Sequence, residues 1–277
     1  MTNRKRSALI ARVLVYTGTL LTLALLLLMV GYILVKGIPG LSPELFAWEY
    51  NSENVSLMPA LVNTLLMTVL SLLIAAPLGI FAAVYLTEYA KRGSRLVGIV
   101  RITAETLSGI PSIIYGLFGL LFFVTSLGLG MSLVSGALTL SIMILPVIMR
   151  ATEEALLAVP GEYREGSFGL GAGRLRTVFK VVMPSATPGI LAGIILGTGR
   201  IVGETAALIY TAGTVAQVPQ SIFDSARTLS VHLYALASEG LYTNQAYATA
   251  AVLLVTVVGI NALSAYLAKR VARRQYG

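Results

Sequence analysis

Two charged residues stand four positions apart inside a long apolar stretch of the chain. The segment GILAGIILGTGRIVGETAALIYTAG contains Arg200 and Glu204, and this spacing places both side chains on one face of a helix. A charge inside a membrane span costs about 3 kcal/mol or more, so it normally faces a bundle interior or a cavity. Because a guanidinium is always protonated and presents a planar fork, Arg200 is a candidate for binding phosphate or carboxylate oxygens. The alternative is an internal ion pair with Glu204 that locks the helix.

Small and hydroxyl-bearing residues surround this charged pair. Thr198 and Thr205 are candidates to donate further hydrogen bonds to an anion. The glycines of the segment predict a bare face that another helix or a substrate can approach; they are Gly193, Gly197, Gly199 and Gly203.

A second candidate site for an anion lies at the start of an earlier apolar segment, TAETLSGIPSIIYGLFGL. Gly109 and Pro111 interrupt it, and Ser108 and Ser112 flank the interruption. A helix broken there would expose backbone N–H groups, which favour an anion. The alternative is a simple proline kink.

Composition places these residues in a membrane protein. Of the 277 residues, 56% are apolar and only 12% are charged, whereas a soluble domain carries about a quarter charged residues. The absence of cysteine and the single His232 argue against metal sites built on thiolates or imidazoles. The chain has no Walker A loop, HExxH motif or GxSxG motif. We therefore expect no catalytic residues and no cofactor bound by this chain, and we expect His232 to be partly exposed at the external interface.

Six segments are apolar enough to cross a hydrocarbon core, which needs about 20 residues of helix. They predict an all-α integral membrane protein that forms one domain over residues 1–277. The predicted spans are 13–35, 59–86, 106–126, 132–149, 188–211 and 246–268.

The basic residues indicate the orientation of these spans. Seventeen of the twenty lie at the termini or in the second-to-third and fourth-to-fifth connections, whereas the opposite side holds only Lys36 and Arg227. Because cytoplasmic connections carry the excess of Lys and Arg, both termini are predicted to be cytoplasmic. The net charge of +8 therefore reflects topology and does not indicate nucleic-acid binding.

The longest cytoplasmic connection, 150–187, is predicted to be structured. Helical stretches at Thr152–Val159 and Arg174–Met183 flank a short helix at Glu162–Leu170, whose first turn is acidic. Such a protrusion can fit a groove on another protein. A plain solvated loop is the alternative.

This connection resembles the EAA loop of ABC importer permeases. The family pattern is E-A-A, three residues, G, nine residues, I-x-L-P, and the chain matches it at Glu165, Gly171 and Pro184. Gly166 and Ser167 depart from the two alanines. The resemblance implies a type I ABC importer permease whose loop docks on a dimeric ATPase, which binds the ATP and Mg.

Other stretches resemble the permeases of Pst-type phosphate importers: GIPSIIYGLFG at 109–119, EALLAVPGEYREGSFGLGAGRLRT at 154–177, RIVGETAALIYTAG at 200–213 and FDSARTLSVHLYALASEG at 223–240. The last is more similar to the PstA branch than to the PstC branch. The resemblance implies a phosphate importer in which a PstC-like second permease, a PstB-like ATPase and an extracytoplasmic phosphate-binding protein are the partners, in the cytoplasmic membrane of a bacterium or archaeon. It also places Arg200 and Glu204 on charged positions of the family's fifth span. We hypothesise that Glu204 accepts the proton of a phosphate hydroxyl, a group that sulfate lacks.

The external connection is predicted to contain an amphipathic helix. Ser221 and Asp224 are spaced as a capping box, followed by an apolar face that comprises Ile222, Ala226, Leu229, Leu233 and Leu236.

Three other functions remain open. One is import of another oxyanion, such as sulfate, molybdate or phosphonate. Another is a secondary transporter or channel that needs no ATPase. The last is a sensory or scaffolding role, for which a charge within a span is less suitable.

Overall fold

Long apolar helices dominate the chain. The computed structural model describes residues 2–91 and 93–276, with side chains described at 8–91, 93–266 and 270. The helices are α1 Thr2–Gly37, α2 Met58–Tyr89, α3 Arg95–Ser108, α4 Ser112–Ser126, α5 Leu133–Leu157, α6 Gly161–Gly169, α7 Arg174–Gly203, α8 Ala206–Thr211, α9 Leu229–Glu239 and α10 Thr243–Tyr276. Two 3-10 turns, Ile38–Gly40 and Pro43–Phe46, follow α1.

The described residues form helices and no strand, which confirms the all-α class. Five helices are long and apolar enough to cross a membrane: α1, α2, α5, α7 and α10. The pair α3 and α4 passes the same test as one span, bent by 101° at a short break. The predicted basic residues Arg4, Lys5, Arg6, Arg92, Lys269, Arg273 and Arg274 lie outside the described side chains.

The bent pair differs from the predicted third span because helix begins earlier, at Arg95. Pro111 cannot donate a backbone hydrogen bond, and the helix ends at Ser108 before it restarts at Ser112. The hydroxyl of Tyr115 donates to the carbonyl of Leu107 at 2.7 Å, so one turn of α4 is tied to the last turn of α3.

The fourth and fifth spans extend further toward the basic end of the bundle than predicted. α5 continues to Leu157, and α7 is helical from Arg174. Pro184 lies inside α7, and the preceding turn, Val178–Val182, widens into π-helix. The wider turn makes room for the proline ring, so that the missing proline N–H does not interrupt the helix.

Glycines let three of these helices approach α5 closely. A Cβ added at Gly79 of α2 would lie 3.2 Å from the Leu145 carbonyl, and one at Gly193 of α7 would lie 2.6 Å from the Ala151 methyl. Gly119 of α4 faces Thr139 in the same way. Larger residues at these positions would push the helices apart. Because α2, α4 and α7 all pack closely against α5, α5 forms the centre of the bundle.

The external connection does not begin its helix where the capping box was predicted. Residues 221–228 are not helical, and α9 starts at Leu229. The physical reason is that α5 needs this backbone: the N–H groups of Leu133 and Val134 donate to the carbonyls of Asp224 and Ile222, both at 2.9 Å. These bonds satisfy amide groups that the first turn of a helix otherwise leaves without acceptors.

The prediction that His232 is partly exposed was wrong. Its exposed fraction is 0%, because α9 packs into the bundle and the adjacent Val231 belongs to the central apolar cluster. The imidazole Nδ1 lies 3.4 Å from Nη1 of Arg227, and its ring meets the Tyr50 ring edge-on. Burial lowers the pKa of His232 to about 4, and the charge of Arg227 acts in the same direction.

This shift predicts acid sensitivity. Since the folded pKa is below the unfolded value of about 6.5, stability is complete above that pH and falls as the pH drops toward about 4, by up to about 1.4 kcal/mol per pH unit. The thermal midpoint of the detergent-purified protein should therefore decline more steeply below about pH 6.5 than that of the His232→Gln variant. Parallel curves for the two proteins would contradict this assignment.

Candidate functional site

Arg200 lies three residues before the end of α7, beside an open groove between α7 and α10. The arginine is half-buried, and the groove wall includes Leu196, Gly199 and Asn261. A Cβ added at Gly199 would lie 3.7 Å from the Asn261 amide nitrogen, so the glycine brings the two helices together at this level. One cation thus borders a groove that is open at the surface of the chain, next to exposed apolar side chains such as Leu196.

The structure contradicts the prediction that Arg200 and Glu204 share one helical face. α7 ends at Gly203, and Glu204 has extended backbone angles, φ −74° and ψ 128°. Its carboxylate accepts a hydrogen bond from the backbone N–H of Ala207 at 3.0 Å and so caps α8. Among the residues whose side chains are described, no ion pair joins Arg200 and Glu204. The alternative of an ion pair that locks the helix is therefore absent from this conformation.

The two threonines lie outside the groove wall and differ in burial. Thr198 is buried, and its hydroxyl donates to the carbonyl of Ile194 at 2.8 Å. In this conformation its only proton is therefore engaged within α7. Thr205 lies in the break between α7 and α8, half-buried, with its hydroxyl 3.5 Å from the Gly203 carbonyl.

The broken third span packs against the break between α7 and α8. Gly116 of α4 lies against the backbone of Ala206 and Ala207, the first residues of α8, and the adjacent Tyr115 is buried in the central cluster. Ser108 donates to the carbonyl of Ala104 at 2.9 Å, whereas Ser112 is the first residue of α4 and is half-buried. The break therefore exists as predicted from Gly109 and Pro111, and Ser112 stands at its α4 side.

Asn261 is a residue that sequence reasoning missed. It belongs to the wall of the Arg200 groove, and its amide oxygen is buried without a hydrogen-bond partner among the described residues. The available signal was an amide side chain inside the apolar run 246–268. Unsatisfied polar groups inside a bundle are costly, so they indicate a functional position.

The connection after α5 forms a protrusion at the basic end of the bundle. α6 has no buried residue; Glu165 on it is exposed, and Gly171 follows it with φ +81°. Three large apolar side chains are exposed on and after α6: Tyr163, Phe168 and Leu170, the last with 91% of its surface accessible. Pro184, by contrast, lies within α7. Apolar groups exposed beyond the spans indicate an interface with another protein.

Arg164 anchors this protrusion to two spans. Its guanidinium donates to the Glu88 carboxylate of α2, with the shortest contact at 2.6 Å, and to the carbonyls of Leu156 and Val159 at 2.9 Å each. Those carbonyls lie at the C-terminal end of α5, where helix groups lack partners. One side chain therefore fixes α6 against both α2 and α5.

The sequence profile described as binding-protein-dependent transport system inner membrane component matches residues 75–275. The chain belongs to this family. It is accordingly a multi-pass permease of the membrane, and the type I ABC importer architecture predicted from its sequence is confirmed.

Relatives with assigned names agree with this membership. The permease is 33% identical over 269 residues to the probable ABC transporter permease protein YqgI of Bacillus subtilis, with 91% of each chain covered. It is 33% identical to the phosphate transport system permease protein PstA of Mycobacterium leprae, over 86% of this chain and 76% of that relative.

Solved structures share the fold of the permease. A structure of a bacterial importer of the acidic polysaccharide alginate matches with a TM-score of 0.67 and 17% identity, covering 97% of this chain and 99% of that one. An inward-facing structure of the MetNI methionine ABC transporter matches with a TM-score of 0.60 and 21% identity, covering 77% and 93%.

Proposed function

We propose that the chain is a PstA-like permease subunit of an ATP-driven importer of inorganic phosphate. The observation that carries this proposal is Arg200, a half-buried cation beside an open groove between α7 and α10, two helices that are apolar enough to cross a membrane. Phosphate carries one or two negative charges near neutral pH, and a single guanidinium holds it without preventing release. The names of the relatives in Mycobacterium and Xylella, which are phosphate permeases, support the choice of anion.

The groove offers phosphate two hydrogen-bond donors. The Arg200 guanidinium and the Asn261 amide nitrogen can both donate to its oxygens. Glu204 uses one carboxylate oxygen to cap α8. Its second oxygen has no partner among the described residues and is available to a phosphate hydroxyl, as hypothesised from the sequence.

Transport through this site requires partners. We place α6 on the cytoplasmic side, where Glu165, Gly171 and the exposed apolar side chains dock on a dimeric PstB-like ATPase that carries the ATP and Mg. A PstC-like second permease completes the pathway, and an extracytoplasmic phosphate-binding protein delivers the anion. The clustering of Lys91, Arg174 and other basic residues at the α6 end supports this orientation, with both termini cytoplasmic in the inner membrane.

Uptake of radiolabelled phosphate at low external concentration tests the proposal. Cells that lack this chain and any second phosphate importer should lose uptake, and the plasmid-borne chain should restore it without inhibition by excess unlabelled sulfate. Inhibition by sulfate, molybdate or phosphonate would assign another oxyanion. Restored uptake in cells that lack the ATPase would indicate a secondary transporter.

Asn261 provides a narrower prediction. Asn261→Leu should reduce phosphate uptake about tenfold at normal membrane abundance, because the substitution removes the amide next to Arg200 and retains its approximate volume. Ser264→Ala, one turn away on α10, is the matched control and should retain uptake. Equal phosphate uptake by the two variants would show that Asn261 is not on the transport pathway.

A further inference from the structure

A second basic cavity lies at the opposite end of α7 from Arg200. It is a cleft of about 820 Å3 enclosed by the end of α2, the start of α3 and the protrusion α6. Among the residues whose side chains the structure describes, four basic ones line it, Lys91, Arg101, Arg164 and Arg174, and Glu88 is the one acidic residue. We refer to it as the basic cleft.

Internal contacts neutralise only part of this charge. Glu88 is paired with Arg164, and Arg101 is paired with Glu153, which lies outside the wall. Arg174 uses one guanidinium nitrogen to donate to the Glu88 carbonyl, and its guanidinium lies 5.2 Å from the centre of the Tyr89 ring.

Several donors therefore remain available to a ligand. Within the part of the chain that the structure describes, Nη1 of Arg101, Nε and Nη1 of Arg174 and Nζ of Lys91 have no hydrogen-bond partner. Guanidinium and ammonium groups that line one cleft in this way are suited to donate to the oxygens of a phosphate group.

The apolar part of the wall indicates where such a phosphate group comes from. Leu86 and Val97 line the cleft beside the cations. On the outer face of α3, Leu96, Ile99 and Ile102 expose 59–67% of their surfaces, as expected for side chains that face lipid. Basic pockets between spans at the cytoplasmic side suit the headgroups of anionic phospholipids.

We infer that the basic cleft binds a phosphate group, supplied either by an anionic phospholipid headgroup or by inorganic phosphate. The inference uses the orientation proposed above but does not depend on which substrate the permease carries. An occupant of the cleft contacts Arg174, which touches the same Glu88 that Arg164 uses to hold α6. Occupancy therefore stabilises the attachment of the protrusion to α2.

The test uses the intact transporter, purified with its ATPase, and two double variants. Lys91→Gln with Arg174→Gln removes two cations of the basic cleft. Arg176→Gln with Lys180→Gln removes the same charge from nearby positions that do not line it. Native mass spectrometry after delipidation measures retention of phosphatidylglycerol against phosphatidylcholine. Thermal midpoints in phosphatidylcholine nanodiscs measure stabilisation by inorganic phosphate against chloride at equal ionic strength.

The two possible sources of the phosphate group, a phospholipid headgroup and inorganic phosphate, predict different results in these two measurements. If the ligand is a lipid, the wild type and the control retain phosphatidylglycerol about tenfold better than the cleft variant does. If it is inorganic phosphate, phosphate raises the thermal midpoints of the wild type and the control but not that of the cleft variant. Equal behaviour of the two double variants in both measurements would overturn the inference. If the cleft variant does not fold, the single variant Lys91→Gln, at an exposed side chain, takes its place. Lys180→Gln is then the control.

Discussion

Replacing Arg200 by glutamine is expected to reduce phosphate uptake by about tenfold to hundredfold, with normal membrane abundance of the protein. Loss of hydrogen bonds to a charged group corresponds to about 1.5–3 kcal/mol, and Arg200 is the cation of its groove. Since no ion pair to Glu204 forms in this conformation, the substitution leaves no partner charge uncompensated, and the fold should tolerate it.

Uptake of radiolabelled phosphate, measured as initial rate against concentration, checks this expectation. Arg227→Gln is an instructive control because it removes an arginine from the external layer, where the guanidinium donates to the Thr214 carbonyl. Arg200→Lys, which keeps the charge but not the planar fork, should give an intermediate rate. Wild-type uptake by Arg200→Gln would show that the groove is not on the pathway.

Replacing Arg164 by glutamine is expected to have the largest effect on coupling between ATP hydrolysis and transport. Arg164 and Glu88 form a largely buried pair, with 22% and 9% of their side-chain surfaces exposed. Removing one partner of a buried pair costs about 3–5 kcal/mol, because the other charge remains without compensation. α6 would then lose its attachment to α2 and to the end of α5.

The measurement is phosphate transported per ATP hydrolysed, in vesicles that contain the reconstituted transporter. For Arg164→Gln this ratio should fall about tenfold or more, while ATP hydrolysis continues. Arg176→Gln, an exposed arginine of the adjacent α7 turn, serves as the matched control. The double variant Glu88→Gln with Arg164→Gln removes both charges and should recover thermal stability relative to the single variant. An unchanged transport ratio in the single variant would mean that α6 is held by other contacts.

Local features of the sequence predicted the fold well, because the energetics of a membrane span depend mainly on a continuous apolar segment. The apolar segment from Leu133 to Met149 and the interruption at Pro111 are both visible without knowledge of neighbouring helices. The protrusion was predictable for a similar reason, since Pro160 and Gly171 delimit α6.

Contacts between distant segments were not predictable from spacing. Arg164 and Glu88 are 76 positions apart, and nothing in the sequence around either residue indicates that the two form a pair. The spacing of Arg200 and Glu204 indicated one helical face, but the first turn of α8 required an acceptor and Glu204 supplies it. Likewise, residues 221–228 have a helical pattern, yet the first turn of α5 requires their carbonyl groups.

The length of α7 gives the permease a mechanical lever. Its 30 residues extend about 45 Å, well beyond a hydrocarbon core of about 30 Å. The widened turn Val178–Val182 is the natural pivot, because it lies beside the attachment of α6 and below the glycines that contact α5. Arg200 stands about 30 Å along the axis from this turn, so a rotation of about 5° about the turn displaces Arg200 by about 3 Å, roughly the length of one hydrogen bond. A small angular change at the protrusion is therefore enough to move the Arg200 guanidinium by one hydrogen-bond length.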